Sequence, residues 1–249
     1  MKRNNKYNLN KLGNEEIFEL ILIGGVGRLP SDFWDKEGVI EAVKWIIEEK
    51  YKCSDEDIKS NLWSKIFTQY RLTGQIYKYY NSIYDLINEI YPNRFKPWEM
   101  KKISLNFWNK ERIIEATKWM IEEKLQWTEE DIKNNLTLNI FKKYIMPNTN
   151  QIYRYYNSIY DLINEIYPNR FKPWEMKNVP NNFWTKEGVI EATKWMIEEK
   201  LTEEELERPI TIDIFRKYKL GYIANNKYDI QKLLDEVYPG KFVNKKLVK

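Results

Sequence analysis

A chain of 249 residues, 43% hydrophobic and 31% charged, has the makeup of a globular protein able to bury a sizeable core. Its formal net charge of +4 neither demands a polyanionic partner nor excludes one. With no histidine and one cysteine, Cys53, it lacks the commonest general base, the commonest metal ligand and any internal disulfide.

Basic residues come first, at Lys2, Arg3, Lys6 and Lys11, and an apolar run extends from Ile17 to Val26. Glu19 and Gly24-Gly25 interrupt this run, which is too short to span a bilayer and ends without a small-residue cleavage site. Residues 1–30 therefore read as an N-terminal helical segment and the chain as cytoplasmic, with no membrane partner. Whether this segment packs on the rest of its own chain or joins two chains stays open, as does the oligomeric state.

The rest of the chain repeats itself. Asn81 to Lys101 reads NSIYDLINEIYPNRFKPWEMK, and Asn157 to Lys177 repeats it without a change. A second block recurs three times, as FWDKEGVIEAVKWIIEEK from Phe33, FWNKERIIEATKWMIEEK from Phe107 and FWTKEGVIEATKWMIEEK from Phe183. These starts define units at 31–104, 105–180 and 181–249, each of about 75 residues, the third carrying a basic tail with Lys241, Lys245, Lys246 and Lys249. The third copy ends KYDIQKLLDEVYPGKF and loses the Lys-Pro-Trp-Glu segment, which fits a terminal copy with no neighbour to dock onto. Chance does not produce such identity. Recent duplication alone explains it, and a shared binding surface is the other explanation.

Within a unit, the opening block predicts an amphipathic helix, with Trp108, Ala116 and Trp119 on one face and Glu111, Glu115, Glu122 and Lys124 mostly off it. The residue before each block, Asp32, Asn106 or Asn182, is the expected cap. Ser54 and Thr128, each with an acid three residues on, predict a capping box and a second, brief helix. Leu136 to Tyr144 predicts a third, a turn comes at Pro147-Asn148, and one or two more helices run to Tyr167 before Pro168. No stretch alternates with the period of a strand, so the fold class is all-α: three tandem helical repeats with helix-turn-helix-like second halves. Pro97-Trp98-Glu99 and Pro173-Trp174-Glu175 fall between units, where a buried Trp would fix the angle between neighbours; an exposed linker is the alternative.

Charge is segregated inside each unit. Phe107 to Asn135 carries seven acids and five bases, whereas Leu136 to Tyr160 carries Lys142, Lys143 and Arg154 with no acid. Leu62 to Tyr84 likewise has Lys65, Arg71 and Lys78, and Arg208 to Tyr228 has Arg208, Arg216, Lys217, Lys219 and Lys227 against Asp213. The same half holds Gln75, Tyr77 and Tyr79, then Asn150, Gln151, Tyr153 and Tyr155. Bases and amides on a helix, turn and helix are what groove binding needs, since cations hold phosphates while amides and Arg read base edges. Lys65, Lys142, Lys143, Arg216 and Lys217 are the expected phosphate contacts, and Gln75, Gln151 and Arg154 the expected base contacts; Arg71, Lys78 and Lys219 complete the interface. The plain alternative is a set of solvated bundle faces whose tyrosines fill cores.

Catalysis is not expected. Without histidine no Ser-His-Asp or Cys-His arrangement exists, and nine glycines include neither a P-loop nor a dinucleotide fingerprint. Glu122-Glu123-Lys124 reads as an exposed helix face with an internal ion pair. No cofactor or metal site is expected.

The unit resembles the homing-endonuclease-associated repeats, small helical DNA-binding modules, in Trp108, Ala116, Tyr156, Ser158, Tyr160 and Leu162 and in their counterparts Trp34, Ala42, Tyr80, Ser82, Tyr84 and Leu86. It departs from them in carrying Tyr-Asn-Ser for Phe-Gly-Ser, in closing on Tyr-Pro, and in its greater length. It is also similar to uncharacterised repeat proteins of Firmicutes and their phages sharing the Phe-Trp-x-Lys-Glu and Lys-Pro-Trp-Glu elements, a likeness that implies no function. The first resemblance implies DNA targeting by tandem modules, without a nuclease. The sequence therefore predicts a non-enzymatic, sequence-reading binder of double-stranded DNA, acting as a regulator or targeting protein of a phage or mobile element. Its rival is a protein-interaction array, such as a phage-encoded inhibitor of a host protein.

Overall fold

The computed structural model describes residues 11–26, 34–60, 63–101, 103, 107–180, 183–226 and 228–242. The expected caps Asp32, Asn106 and Asn182, and the basic residues Lys2, Arg3, Lys6, Lys227, Lys245, Lys246 and Lys249, lie outside the described residues. The chain divides into two compact units, Met1–Phe107 with the first repeat and Trp108–Lys249 with the second and third. Among the described residues every regular element is a helix.

In the first unit α1 (Asn14–Leu22) precedes α2 (Lys36–Trp45), which runs into a π-helical turn at Ile46–Lys50. Then come α3 (Asp55–Lys59), α4 (Trp63–Gln69), α5 (Thr73–Tyr79) and α6 (Ile83–Ile90), and a 3-10 turn at Pro97–Glu99. Ile17, Phe18 and Ile21 of α1 are buried, and the Phe18 ring lies 5.3 Å from Trp34 and from Trp45. The N-terminal helix thus completes the core of the first repeat. Val39, Ala42, Val43 and Ile46 form the buried stripe of the opening helix, against Ile58, Phe67, Leu72, Ile76, Leu86 and Ile87.

The second unit repeats this order twice. Its second repeat has α7 (Lys110–Lys118), a π turn at Trp119–Lys124, α8 (Glu129–Asn135), α9 (Leu138–Tyr144), a 3-10 helix at Thr149–Arg154, α10 (Ile159–Ile166) and a 3-10 turn at Pro173–Glu175. The third has α11 (Lys186–Trp195), a π turn at Met196–Lys200, α12 (Glu203–Glu207), α13 (Ile212–Lys217), α14 (Gly221–Asn225) and α15 (Ile230–Val237).

Capping fixes these boundaries. The opening helices are capped by the variable residue of Phe-Trp-x-Lys-Glu: Asp35 accepts from the Gly38 amide at 2.7 Å, Asn109 from Arg112 at 2.9 Å and Thr185 from Gly188 at 3.3 Å. Ser54 with Asp57, Thr128 with Asp131 and Thr202 with Glu205 are reciprocal capping boxes. After the closing helix the backbone turns through a left-handed residue, Asn93 (φ 59°), Asn169 (φ 59°) or Gly240 (φ 73°). Its amide is held by the side chain of Asn88, Asn164 or Asp235. The third copy's change from Asn to Gly therefore keeps the turn.

Polar ties recur with the same regularity. Lys36–Glu89 (2.8 Å), Lys110–Glu165 (2.9 Å) and Lys186–Glu236 (2.5 Å) join the opening helix to the closing one. The hydroxyls of Tyr91, Tyr167 and Tyr238 donate to Glu48, Glu122 and Glu198. The expected internal pair of the Glu-Glu-Lys turn gives way to these ties: its first Glu accepts a tyrosine, and Lys50 reaches Glu19 of α1 at 2.5 Å. Most of these pairs are well exposed and add less than about 1 kcal/mol each, so they orient the helices and leave cohesion to the apolar cores.

The segment between the second and third repeats is a docking element. Pro173 starts the turn, Glu175 caps it by accepting from the Lys172 amide at 3.1 Å, and Lys133 holds the same carboxylate at 2.8 Å. This places Trp174, 1% exposed, with its ring 5.3 Å from Phe183 and 5.5 Å from Trp195. An aromatic ring against the opening helix's Trp is also what Phe18 supplies to Trp45.

Candidate nucleic-acid interface

The two-helix element of each repeat is built on a few buried anchors. In the first repeat Phe67, Tyr70, Leu72 and Ile76 face the core; in the second Phe141, Ile145, Met146 and Ile152; in the third Phe215, Leu220 and Ile223. Arg71 (φ 57°) and Lys219 (φ 64°) turn the chain between the two short helices. With those anchors inward, Lys65, Lys142, Lys143, Arg216 and Lys217 are exposed. A seven-residue helix is about 10 Å long, comparable with the roughly 12 Å major groove.

The candidates separate by what they touch. Lys65 and Lys142 are exposed and make no ion pair among the described residues, and Lys78 and Lys143 lie 4.9 Å from the rings of Tyr79 and Tyr144. Arg154 is exposed and donates to Gln151 Oε1 at 3.0 Å. Arg71 donates to the Val26 carbonyl at 3.4 Å. Gln151 is 6% exposed and occupied by Arg154, and Gln75 is half-buried with its Oε1 enclosed, so neither amide is presented for base contact as expected. Each precedes a core isoleucine, Ile76 or Ile152, on the side of the helix turned toward the core, whereas Tyr77 and Tyr153, which follow those isoleucines, turn outward.

In the third repeat the cations are engaged. Arg216 pairs with Asp213 at 3.0 Å and Lys217 with Glu205 at 2.6 Å. Lys219 reaches α8 of the second repeat, 2.7 Å from Asn134 Oδ1 and 3.4 Å from Glu130. Hydrogen bonds from Lys217, Tyr218 and the Thr202 amide hold the Glu205 carboxyl down at about 2. A carboxyl lowered in the fold contributes stability above its unfolded value and loses it as pH falls toward about 2. The Glu205 carboxyl resonance should therefore titrate near 2, and Lys217→Met should move it up toward the ordinary range; an unmoved midpoint would contradict the assignment.

The residues whose exposure sequence reasoning missed are tyrosines. Tyr77 (56%) and Tyr153 (47%) stand outward beside Lys78 and Arg154, while Tyr79 and Tyr155 donate to the Trp34 and Trp108 carbonyls. Their neighbours Tyr70, Tyr80 and Tyr156 are buried, so the run of tyrosines is part core and part surface. Spacing from Ile76 and Ile152 was the available signal. In the third repeat Tyr222 stacks on Trp184, 4.8 Å away with planes 5° apart.

Among the described residues no group of three metal-ligand side chains converges, and no helix is long and apolar enough to cross a membrane.

Fold and sequence together define an all-helical tandem repeat protein. A family model described as Protein of unknown function (DUF4046) matches it three times, over residues 15–96, 98–172 and 170–243, and the chain belongs to that family. No curated protein and no solved structure matches it. The first match starts inside α1, the second begins at Trp98 and the third includes Trp174. Of the residues behind the homing-endonuclease resemblance, Trp34, Ala42, Tyr80, Leu86, Trp108, Ala116, Tyr156 and Leu162 are buried, and Ser82 and Ser158 cap helices. Those residues build the repeat, and the family match supports the tandem repeat without supporting the homing-endonuclease resemblance.

Proposed function

We propose that this chain is a non-enzymatic DNA-binding protein whose tandem repeats each lay their two-helix element along a duplex. The observation carrying this reading is that Lys65, Lys78, Lys142, Lys143 and Arg154 are exposed with no carboxylate paired to them among the described residues and lie on stretches, 62–84 and 136–160, that hold no acid, whereas the equally exposed Lys118 and Lys124 share their helical stretch with Glu115, Glu122 and Glu123. Cations left unpaired are available to displace counterions from phosphate. Arg154 and Lys78, flanked by exposed Tyr153 and Tyr77, are the side chains placed for base edges in a sequence-reading mode. The role would be repression, phage or mobile-element targeting, or blocking access by another protein, within the cytoplasm. Fluorescence anisotropy with a labelled duplex of mixed sequence tests this. Binding that weakens at least tenfold between about 50 and 200 mM salt is expected, and no binding at the lower salt would reject it.

Exposed Tyr77, Tyr153 and Tyr155 favour a second reading, a protein-interaction array in which tyrosines serve as anchors. Binding to a host protein would be far less salt-dependent and would be lost on Tyr77→Ala or Tyr153→Ala.

A further inference from the structure

Two consecutive residues at the end of α8 hold the third repeat in place. Lys133 takes the docking turn: its carbonyl accepts from the Lys177 amide at 2.7 Å, and its ammonium pairs with Glu175 at 2.8 Å. Asn134 takes Lys219, whose Nζ lies 2.7 Å from Asn134 Oδ1 and 3.4 Å from Glu130 Oε1. The Asn134 amide also donates to Glu130 Oε1 at 2.7 Å, and with the charge of Lys219 it holds the Glu130 carboxyl below the ordinary carboxylate range. The docking turn leads into the opening helix of the third repeat, whereas Lys219 lies between α13 and α14, in the two-helix element. One attachment leaves a repeat free to swing about it. A second, on a different element, fixes the direction in which the repeat points.

Lys219 starts from a fixed point of the fold. Its backbone takes the left-handed conformation (φ 64°) that favours glycine, and the next residue, Leu220, is fully buried with its amide 2.8 Å from the Phe215 carbonyl. The position itself does not call for a cation, since the second repeat carries Ile145 there, 3% exposed. In the first repeat the residue is Arg71 (φ 57°), and it too reaches back along the chain, to the Val26 carbonyl at 3.4 Å. The Lys219 and Glu130 side chains are 49% and 66% accessible, so their pairing adds little to cohesion. Its consequence is orientation.

We propose that Lys219 is a positioning residue: by tying the two-helix element of the third repeat to α8 of the second, it fixes the interval at which α9 and α13 meet a duplex. This inference rests on the DNA reading and narrows it, because it assigns Lys219 to the spacing of the site and leaves phosphate contact to other exposed cations such as Lys142 and Lys143. A rigid interval between two modules lets a tandem array reject the same contacts at a wrong separation.

Selection from one random duplex library by the full chain and its variants tests this, with the salt slope measured on the selected site. The parent chain should enrich two motif parts at a single spacing. Lys219→Met should enrich the same parts over several spacings and keep its salt slope. It should bind the parent's spacing about tenfold less tightly, the cost of one displaced base contact. Glu130→Ala with Asn134→Ala leaves every cation in place and should act in the same way, while Lys219→Arg should restore the single spacing. A single spacing retained in Lys219→Met, or a salt slope lowered by about one, the mark of a phosphate contact, would overturn this inference alone. Failure of the parent chain to retain any duplex at low salt would overturn the DNA reading and this inference with it.

Discussion

Replacing Trp174 by alanine is expected to destabilise the second unit by about 3–5 kcal/mol, a large share of the roughly 5–15 kcal/mol that holds a typical domain. Trp174 is 1% exposed and its ring meets Phe183 and Trp195, so the substitution leaves a void at the joint between two repeats. In a tandem array, stability is the sum of each repeat and its interface with the next, and loss of that interface lets a repeat open alone. Amides of α11 and α13 should therefore lose protection first, while those of α2 and α6 in the first unit keep theirs. Trp174→Phe should retain more than half the stability: Phe18 occupies the corresponding place against Trp45, and the Trp174 Nε1 proton has no hydrogen-bond partner among the described residues to lose. Denaturant unfolding combined with amide exchange reads both outcomes. A cost below about 1 kcal/mol for the alanine variant would show that the docking turn is not what couples the repeats.

Reversing the charge of Lys142 and Lys143 together should weaken duplex binding by tenfold or more and lower the salt slope by about two. Both side chains are exposed on α9 and neither pairs with an acid among the described residues, so the substitution removes the phosphate contacts proposed for them without unsettling the fold. The control is Lys118→Glu with Lys124→Glu, which changes net charge equally on the opening helix of the same repeat and should leave affinity within about threefold. Equal losses in the two double variants would mean that general charge attraction, with no defined face, holds the DNA. Arg154→Ala should act differently: a base-reading side chain relaxes preference at one position of the site, whereas a phosphate contact weakens all sequences alike.

Much of the architecture was legible because repetition and periodicity are local signals. The opening helix, the Ser54 and Thr128 capping boxes and the helix stop at Pro168 each come from a few neighbouring residues. The cap of the opening helix was misplaced by three residues, since Asp35 and Asn109 lie inside the block behind a Trp that reads as helical and is in fact the last residue before the cap. The π-helical turn was not legible: it depends on how Ile46, Met120 and Met196 settle into the core. The candidate site was legible only in its charge. Sequence located the basic half of each repeat, but Gln75 and Gln151 could be judged only once their register against Ile76 and Ile152 was known. The same holds for the third repeat, where Lys217 and Lys219 reach partners twelve and more than eighty residues away in the chain. Pairing across such separations is set by tertiary packing, and composition does not report it.

The central claim, that the repeats read a duplex, is tested most directly by selecting from a random duplex library with the pure protein at two salt concentrations and sequencing what is retained. Enrichment of one motif longer than a single short helix could cover, with retention falling steeply as salt rises, is the predicted result. Failure to retain any duplex at the lower salt would contradict the account.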